Sequence, residues 1–211
     1  MTFWLFVAVS LAVLVITGIT PKDHATWWLE VAPVLIALPL LAVTRRRFPL
    51  TPLAYALITI HAVILSVGGH YTYADVPLGF WVQHAFDLSR NHYDRLGHFA
   101  QGFVPALIAR EVLLRRTPLV PGAWLSFIVV SICLAISACY EFIEWWTALI
   151  AGDGAIAFLG TQGDVWDTQW DMFLALIGAI TCVLLLSRIH DRALARHQLV
   201  KRSPAERLVR N

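Results

Sequence analysis

Six stretches of this chain run for 16 to 24 residues with almost no charge: Phe3–Thr20, Trp27–Thr44, Pro52–Gly69, Leu96–Leu114, Ala123–Trp146 and Met172–Ser187. A helix of about 20 residues rises about 30 Å, the thickness of a bilayer's hydrocarbon core. A segment crossing lipid must satisfy its own backbone hydrogen bonds, because no water is there to do so. The sequence therefore predicts an all-α polytopic membrane protein, a bundle of six transmembrane helices. Composition agrees: 58% of residues are hydrophobic and 14% charged, against roughly 25% charged in soluble domains. That balance excludes a soluble enzyme, a disordered chain, a nucleic-acid-binding domain and a secreted disulfide scaffold. Cys133, Cys139 and Cys182 all fall inside the apolar runs. There they read as small apolar residues, not as a disulfide or zinc framework. The first run has no Lys or Arg ahead of it and no small-x-small cleavage site after it, so it reads as a retained anchor.

Charge sets the expected orientation. If the N-terminus is cytoplasmic, 13 of the 16 basic residues fall on the inner side, in the Arg45-Arg46-Arg47 loop, the Arg110/Arg115/Arg116 segment and the tail from Arg188. Eleven of the 14 acids fall on the outer side, with only Lys22, Arg90 and Arg95 to meet them. Basic residues stay in the cytoplasm, so the expected topology is N-in and C-in. The expected organisation is a six-span domain over residues 1–187 and a basic cytoplasmic tail over 188–211, resting near anionic lipid headgroups.

The polar residues gather on the acidic side. Asp94, His98 and Gln101 follow Tyr93 at helical spacings of four and three; Glu141 and Glu144 close the fifth run; Asp164, Asp167 and Asp171 lead into the sixth. Counting at 1.5 Å per residue from the basic edge puts all three groups about 26–30 Å away. They are expected to meet in one polar pocket at the outer leaflet, built by three helices. Carboxylates at one depth repel unless a bound cation, Arg or His partners, or protonation neutralises them. Carboxylate and imidazole ligands suit Zn²⁺, Mn²⁺, Mg²⁺ or Ca²⁺ alike. The structural alternative pairs Arg90 and Arg95 with Asp94, Glu141 or Asp167 and simply fixes the bundle.

The segment Pro77–Arg90 places Leu78, Trp81, Val82, Ala85 and Leu88 on one helical stripe, and so predicts an interfacial helix between spans three and four. His61, about 14 Å into the third run, reads as a hydrogen-bonded core residue. His70, His84 and His92 are spare ligands, whereas His24, His190 and His197 read as surface residues. No phosphate-binding loop, dinucleotide fingerprint, serine-nucleophile elbow or His-Glu-x-x-His motif occurs.

Through Asp94-Arg95-Leu96-Gly97-His98-Phe99, Tyr140-Glu141-Phe142-Ile143-Glu144 and Asp164 to Met172, nearly the whole chain resembles the YjdF-like family of six-span bacterial inner-membrane proteins. More remotely it is similar to VanZ-like proteins, at Asp94, Arg95, His98 and Phe99, at Glu141 or Glu144, and at Asp167 with Gly178. The first resemblance implies the inner membrane, and the second implies glycopeptide resistance or lipid-linked envelope chemistry. Three functions are expected to compete. The first is a membrane enzyme with a divalent cation held by Asp94, His98, Glu141, Asp167 and Asp171; Glu144 is its general base, and Arg95 neutralises a phosphate of a lipid-linked or phosphorylated envelope substrate. The others are a structural or assembly protein, and a small proton- or ion-coupled transporter with His61 on its path.

Overall fold

The computed structural model describes residues 3–152, 159, 161–197 and 199. Seven helices carry these residues: α1 (Phe3–Gly18), α2 (His24–Thr44), α3 (Pro52–Tyr71), α4 (Pro77–Ala85), α5 (Tyr93–Arg116), α6 (Ala123–Ala151) and α7 (Asp167–Arg196). No strand occurs among the described residues. Among the described residues, four helices are long and apolar enough to cross a membrane: α2, α3, Ala123–Ile150 of α6, and α7. The other two long elements fall short for opposite reasons. α1 is apolar but has only 16 residues. α5 has 24, diluted by Asp94, Arg95, His98 and Gln101 at one end and Arg110–Arg116 at the other.

Helix starts follow local chemistry. Asp23 caps α2, its side chain accepting from the Thr26 amide at 2.7 Å; that bond holds the Asp23 carboxyl below its ordinary range. Thr51 caps α3 just ahead of Pro52, whose fixed φ suits a first helical position. Prolines also lie inside helices, Pro33 and Pro39 in α2 and Pro105 in α5.

Side-chain pairings show the helix directions. Thr51 meets Glu111, and the Tyr93 hydroxyl donates to Ile64 O, so α3 and α5 run antiparallel. His98 lies by Asp171 and Glu111 by His190, so α5 and α7 run parallel. These two form the most extensive helix pair. Glycine allows it: a Cβ on Gly102 would lie 2.5 Å from the Ala175 carbonyl carbon, and one on Gly178 would lie 2.9 Å from the Phe103 amide nitrogen. Small residues of this kind let helix backbones touch. The bundle thus has a basic end, with Arg45–Arg47 and Arg110–Arg116, and an acidic end where α5 and α7 begin.

One network locks the basic end. The carboxylate of Glu111 accepts from the Thr51 amide at 3.0 Å, the Thr51 hydroxyl at 2.8 Å and Arg115 at 2.7 Å, and lies 3.0 Å from His190 Nε2. Arg110 reaches Asp191 at 2.6 Å and lies 3.0 Å from His190 Nδ1. Glu111 and His190 are both 0% exposed. His190 therefore corrects the expectation of a surface residue: α7 continues past Ser187 to Arg196 and turns this face inward. The rest of the basic tail, residues 198 and 200–211, lies outside the described residues, as does Asp153.

Candidate functional site

The connection into α5 is pinned before the site begins. Asn91 accepts from the Tyr93 amide at 3.0 Å and donates to Val76 O at 3.0 Å, while Gln162 donates to Asn91 O at 2.8 Å. The first turns of α5 then present Asp94 and His98 toward α7. Asp94 Oδ1 lies 3.4 Å and Asp171 Oδ1 3.7 Å from His98 Nε2. On the other side of the ring, His98 Nδ1 is 2.9 Å from Gln101 Oε1 and 4.0 Å from Glu141 Oε1. The carbonyl of Gln101 suits a proton on Nδ1, and Nε2 faces the two aspartates.

Asp94, His98 and Asp171 are all buried, and one ligand atom from each lies within 4.8 Å of the other two; His98, Glu141 and half-buried Glu144 form a second such group. Several buried carboxylate oxygens here have no hydrogen-bond partner among the described residues: Asp94 Oδ2, both oxygens of Glu141, Asp167 Oδ2 and Asp171 Oδ1. Leaving such atoms unpaired in a dry interior is costly.

Below His98 is a small cavity of about 20 Å³, lined in part by Glu30, Tyr73, Asp94, Gln101, Tyr140 and Glu144. That space is about right for one water or a small ion. The Tyr140 hydroxyl donates to Glu30 at 3.2 Å. Burial, with the Glu30 charge beside it, pushes the Tyr73 phenol well above its ordinary range, so it stays protonated and can donate. Its backbone has φ 52°, directly after Thr72 at φ 57°. This left-handed pair turns the chain out of α3 and swings the Tyr73 ring back over the cavity. Glu30 and Tyr73 escaped the sequence reading. The signal for Glu30 was present, since a lone acid inside an apolar run is a functional candidate by default.

The two outer arginines do not join this centre. Arg90 pairs with Asp167 at 2.7 Å and Asp164 at 3.7 Å, and it also donates to Thr161 O. Arg95 pairs with Asp164 at 2.7 Å and stacks 4.9 Å from the Trp170 ring centroid. The Trp166 amide bonds Asp164 at 3.0 Å. This bond, with both guanidiniums beside it, holds the Asp164 carboxyl below its usual range. Asp94, Glu141 and Asp171 receive no arginine among the described residues. Of the expected site residues, then, Asp94, His98, Glu141, Glu144 and Asp171 converge, Asp167 sits at the edge under Arg90, and Arg95 caps it from outside.

The spare histidines stand apart. His70 Nδ1 lies 2.8 Å from Thr17 O, and His84 is exposed. His92 Nδ1 has no partner among the described residues, and burial holds its imidazole below the ordinary range. His61 departs from expectation: its Nε2 is buried with no partner among the described residues. Helix α4 turns Gly79 inward and leaves Leu78 and Trp81 exposed, as is Phe86 just after it.

Residues 2–192 match the family described as "Predicted membrane protein (DUF2238)". The chain is similar to the "Inner membrane protein YjdF" of Escherichia coli (strain K12), 57% identical over 188 residues, which cover 89% of this chain and 90% of that protein. No solved structure matches it. With nearly all its described helices inside the match, the chain belongs to the DUF2238 family of membrane proteins.

Proposed function

We propose that this chain is a bacterial inner-membrane protein of six spans, both termini cytoplasmic, which binds a divalent cation between Asp94, His98 and Asp171 beneath its outer face. The name of its Escherichia coli relative supports the location. Thirteen of 16 basic residues fall in the stretches of sequence that this topology puts on the cytoplasmic side, which supports it.

One observation carries the cation: His98 Nε2 at 3.4 Å and 3.7 Å from two buried carboxylate oxygens that no arginine compensates. Two ligands, each about 2.1 Å from an ion at a tetrahedral angle, stand about 3.4 Å apart. A zinc-like ion with three protein ligands and one open position fits that spacing better than an octahedral ion, whose adjacent ligands stand about 3 Å apart at the same bond length. Gln101 then orients the ligand ring from behind, as outer partners of metal-bound histidines do. Glu141 and Asp167 complete the acidic surroundings.

A cation there would lower the pKa of a bound water, and Glu144, on the wall of the small cavity, stands ready as its general base. The reaction we propose is hydrolytic, on a lipid-linked or phosphorylated envelope substrate. In that role Arg95 meets the phosphate after releasing Asp164. The structural reading draws support from the Arg90–Asp167 and Arg95–Asp164 pairs, yet it leaves Asp94, Glu141 and Asp171 with only the His98 ring beside them.

Metal analysis of the detergent-solubilised full chain tests the proposal. The expected result is about one zinc-class ion per chain, lost in His98→Ala and in Asp171→Asn with folding retained. A wild-type protein that carries no metal and fails to take up added zinc or manganese overturns it.

A further inference from the structure

The small cavity below His98 has walls beyond the residues proposed to hold the divalent ion. Glu30 reaches it from α2, Tyr73 from the turn after α3 and Tyr140 from α6, with Gln101 of α5 beside them. Glu30 and Tyr73 are each 6% exposed, yet protein satisfies neither in full. Glu30 Oε2 accepts from the Tyr140 hydroxyl at 3.2 Å, while Oε1 accepts no hydrogen bond among the described residues. The Tyr73 hydroxyl lies beside Glu30 and likewise closes no hydrogen bond among them. Asp94 Oδ2 is sealed from any probe, whereas these two atoms keep accessible surface, and the cavity is where their side chains meet.

Strain holds the Tyr73 ring in place. Thr72 and Tyr73 are consecutive left-handed residues, at φ 57° and 52°, without being glycine. Two glycines clear space for the ring: a Cβ on Gly68 would lie 2.5 Å from Tyr73 Cε2, and one on Gly97 would lie 2.9 Å from Cε1. Packing gives no reason for the hydroxyl, since phenylalanine would fill the same space.

Charge selects the occupant. Glu30 and Glu144, both on the wall, form no ion pair among the described residues. His98, the only basic side chain there, has Gln101 at Nδ1 and two aspartates at Nε2. A water would satisfy the Tyr73 hydroxyl and leave the negative charge in a dry interior, which is costly. A cation removes that charge. The cavity, about 20 Å³, admits one particle and so excludes the waters that Mg²⁺ retains. Ca²⁺ takes about six to eight oxygens, more than Glu30, Tyr73, Tyr140 and Gln101 supply. A dehydrated alkali-metal ion is held by a few carboxylate, hydroxyl and amide oxygens.

We infer that this cavity binds one alkali-metal cation, on Glu30 and the hydroxyl oxygens of Tyr73 and Tyr140, with the Gln101 amide oxygen closing the set. Asp171 does not line the cavity, and Glu30, Tyr73 and Tyr140 belong to neither group of ligand atoms around His98. Either ion can therefore bind without the other.

The test uses the full chain in detergent with choline chloride, whose cation is too large for the cavity. The probes are radioactive sodium and rubidium ions, rubidium standing in for potassium. The expected result is saturable binding of at least one of them, at about one per chain. Tyr73→Phe, which removes only the hydroxyl, is expected to weaken it by about tenfold or more, the factor of one charge-assisted contact, with zinc-class metal content unchanged. Glu30→Gln is expected to abolish it. Asp171→Asn is expected to lose the divalent ion and keep the alkali ion, so the two proposals fail separately. Wild-type protein that binds neither probe saturably, or a Tyr73→Phe protein with wild-type affinity, overturns the inference. Where Glu30→Gln does not fold, Tyr73→Phe decides alone, since it keeps the ring.

Discussion

Replacing Gly102 with alanine adds one methyl group a helical turn away from the proposed ligands, and is expected to empty the proposed cation site. The new Cβ would stand 2.5 Å from the Ala175 carbonyl carbon, where ordinary contact begins at 3.4 Å, and the carbonyl oxygen is nearer still. Helices α5 and α7 must therefore part by at least about 0.9 Å at this level, at an overpacking cost of about 1–3 kcal/mol. His98 is one turn before Gly102, and Asp171 one turn before Ala175, so the opening reaches the site almost undiminished. The 3.7 Å between His98 Nε2 and Asp171 Oδ1 then grows to about 4.6 Å. Two bonds of about 2.1 Å span at most about 4.2 Å, and only in a straight line. Competition with a fluorescent zinc chelator should show affinity falling by about 100-fold or more, with a lower thermal transition in detergent. Gly122→Ala is the control, because a Cβ there meets nothing within 4 Å. A Gly102→Ala protein that keeps wild-type zinc affinity would refute the coupling of helix separation to the site.

Two further outcomes are expected. Glu111→Ala leaves the Thr51 amide, His190 and Arg115 facing an empty position at the basic end; a loss of about 3–5 kcal/mol should appear in denaturant titration, with metal stoichiometry unchanged because the two ends are separate. Asp164 has a lowered carboxyl pKa, so its clasp on Arg90, Arg95 and Trp166 is fully present above the ordinary carboxylate range. It should fail as pH falls below about 4 and through the lowered folded-state value. Hydrogen exchange at the Trp166 amide should lose protection over that window, and Asp164→Asn should lack the protection at every pH.

Much of this was legible in the chain, and the failures have physical causes. Hydropathy finds where a helix is apolar, not where it ends. The sixth run was therefore read from Met172 to Ser187, although the helix extends from Asp167 to Arg196. Its extra turns carry Asp167 and Asp171 at one end and His190 at the other, all on the buried face. Continuing the spacing Ala175–Ala179–Cys182 by two more turns reaches His190; the basic residues around it masked that periodicity. The convergence of Asp94, His98 and Asp171 was expected from depth alone. Depth could not say which partner each arginine takes, because Arg90–Asp167 and Arg95–Asp164 join residues about 70 or more positions apart. Glu30 was passed over because its neighbours made the whole stretch read as a plain span.

The same two helices also provide an internal comparison for the acidic centre. At the basic end, α5 and α7 bury Glu111 against His190, and that carboxylate accepts from a helix N-terminus, a hydroxyl and an arginine. It is a finished structural network, and neither residue keeps an unpartnered atom among those described. At the acidic end the same helices bury the same residue types, Asp94 and Asp171 against His98, and leave oxygens of both aspartates unmatched. Helix packing alone cannot account for the difference, since the chain shows at Glu111 how such a group is satisfied by protein. A structural role would have placed Arg90 or Arg95 inward, where either could meet Asp94 or Asp171. Both arginines instead pair with the outer acids, which leaves an imidazole nitrogen and two carboxylates as an open set of donor atoms. The cation we propose would complete an open set of that chemistry, and the Gly102 contact holds it at a width such an ion could bridge.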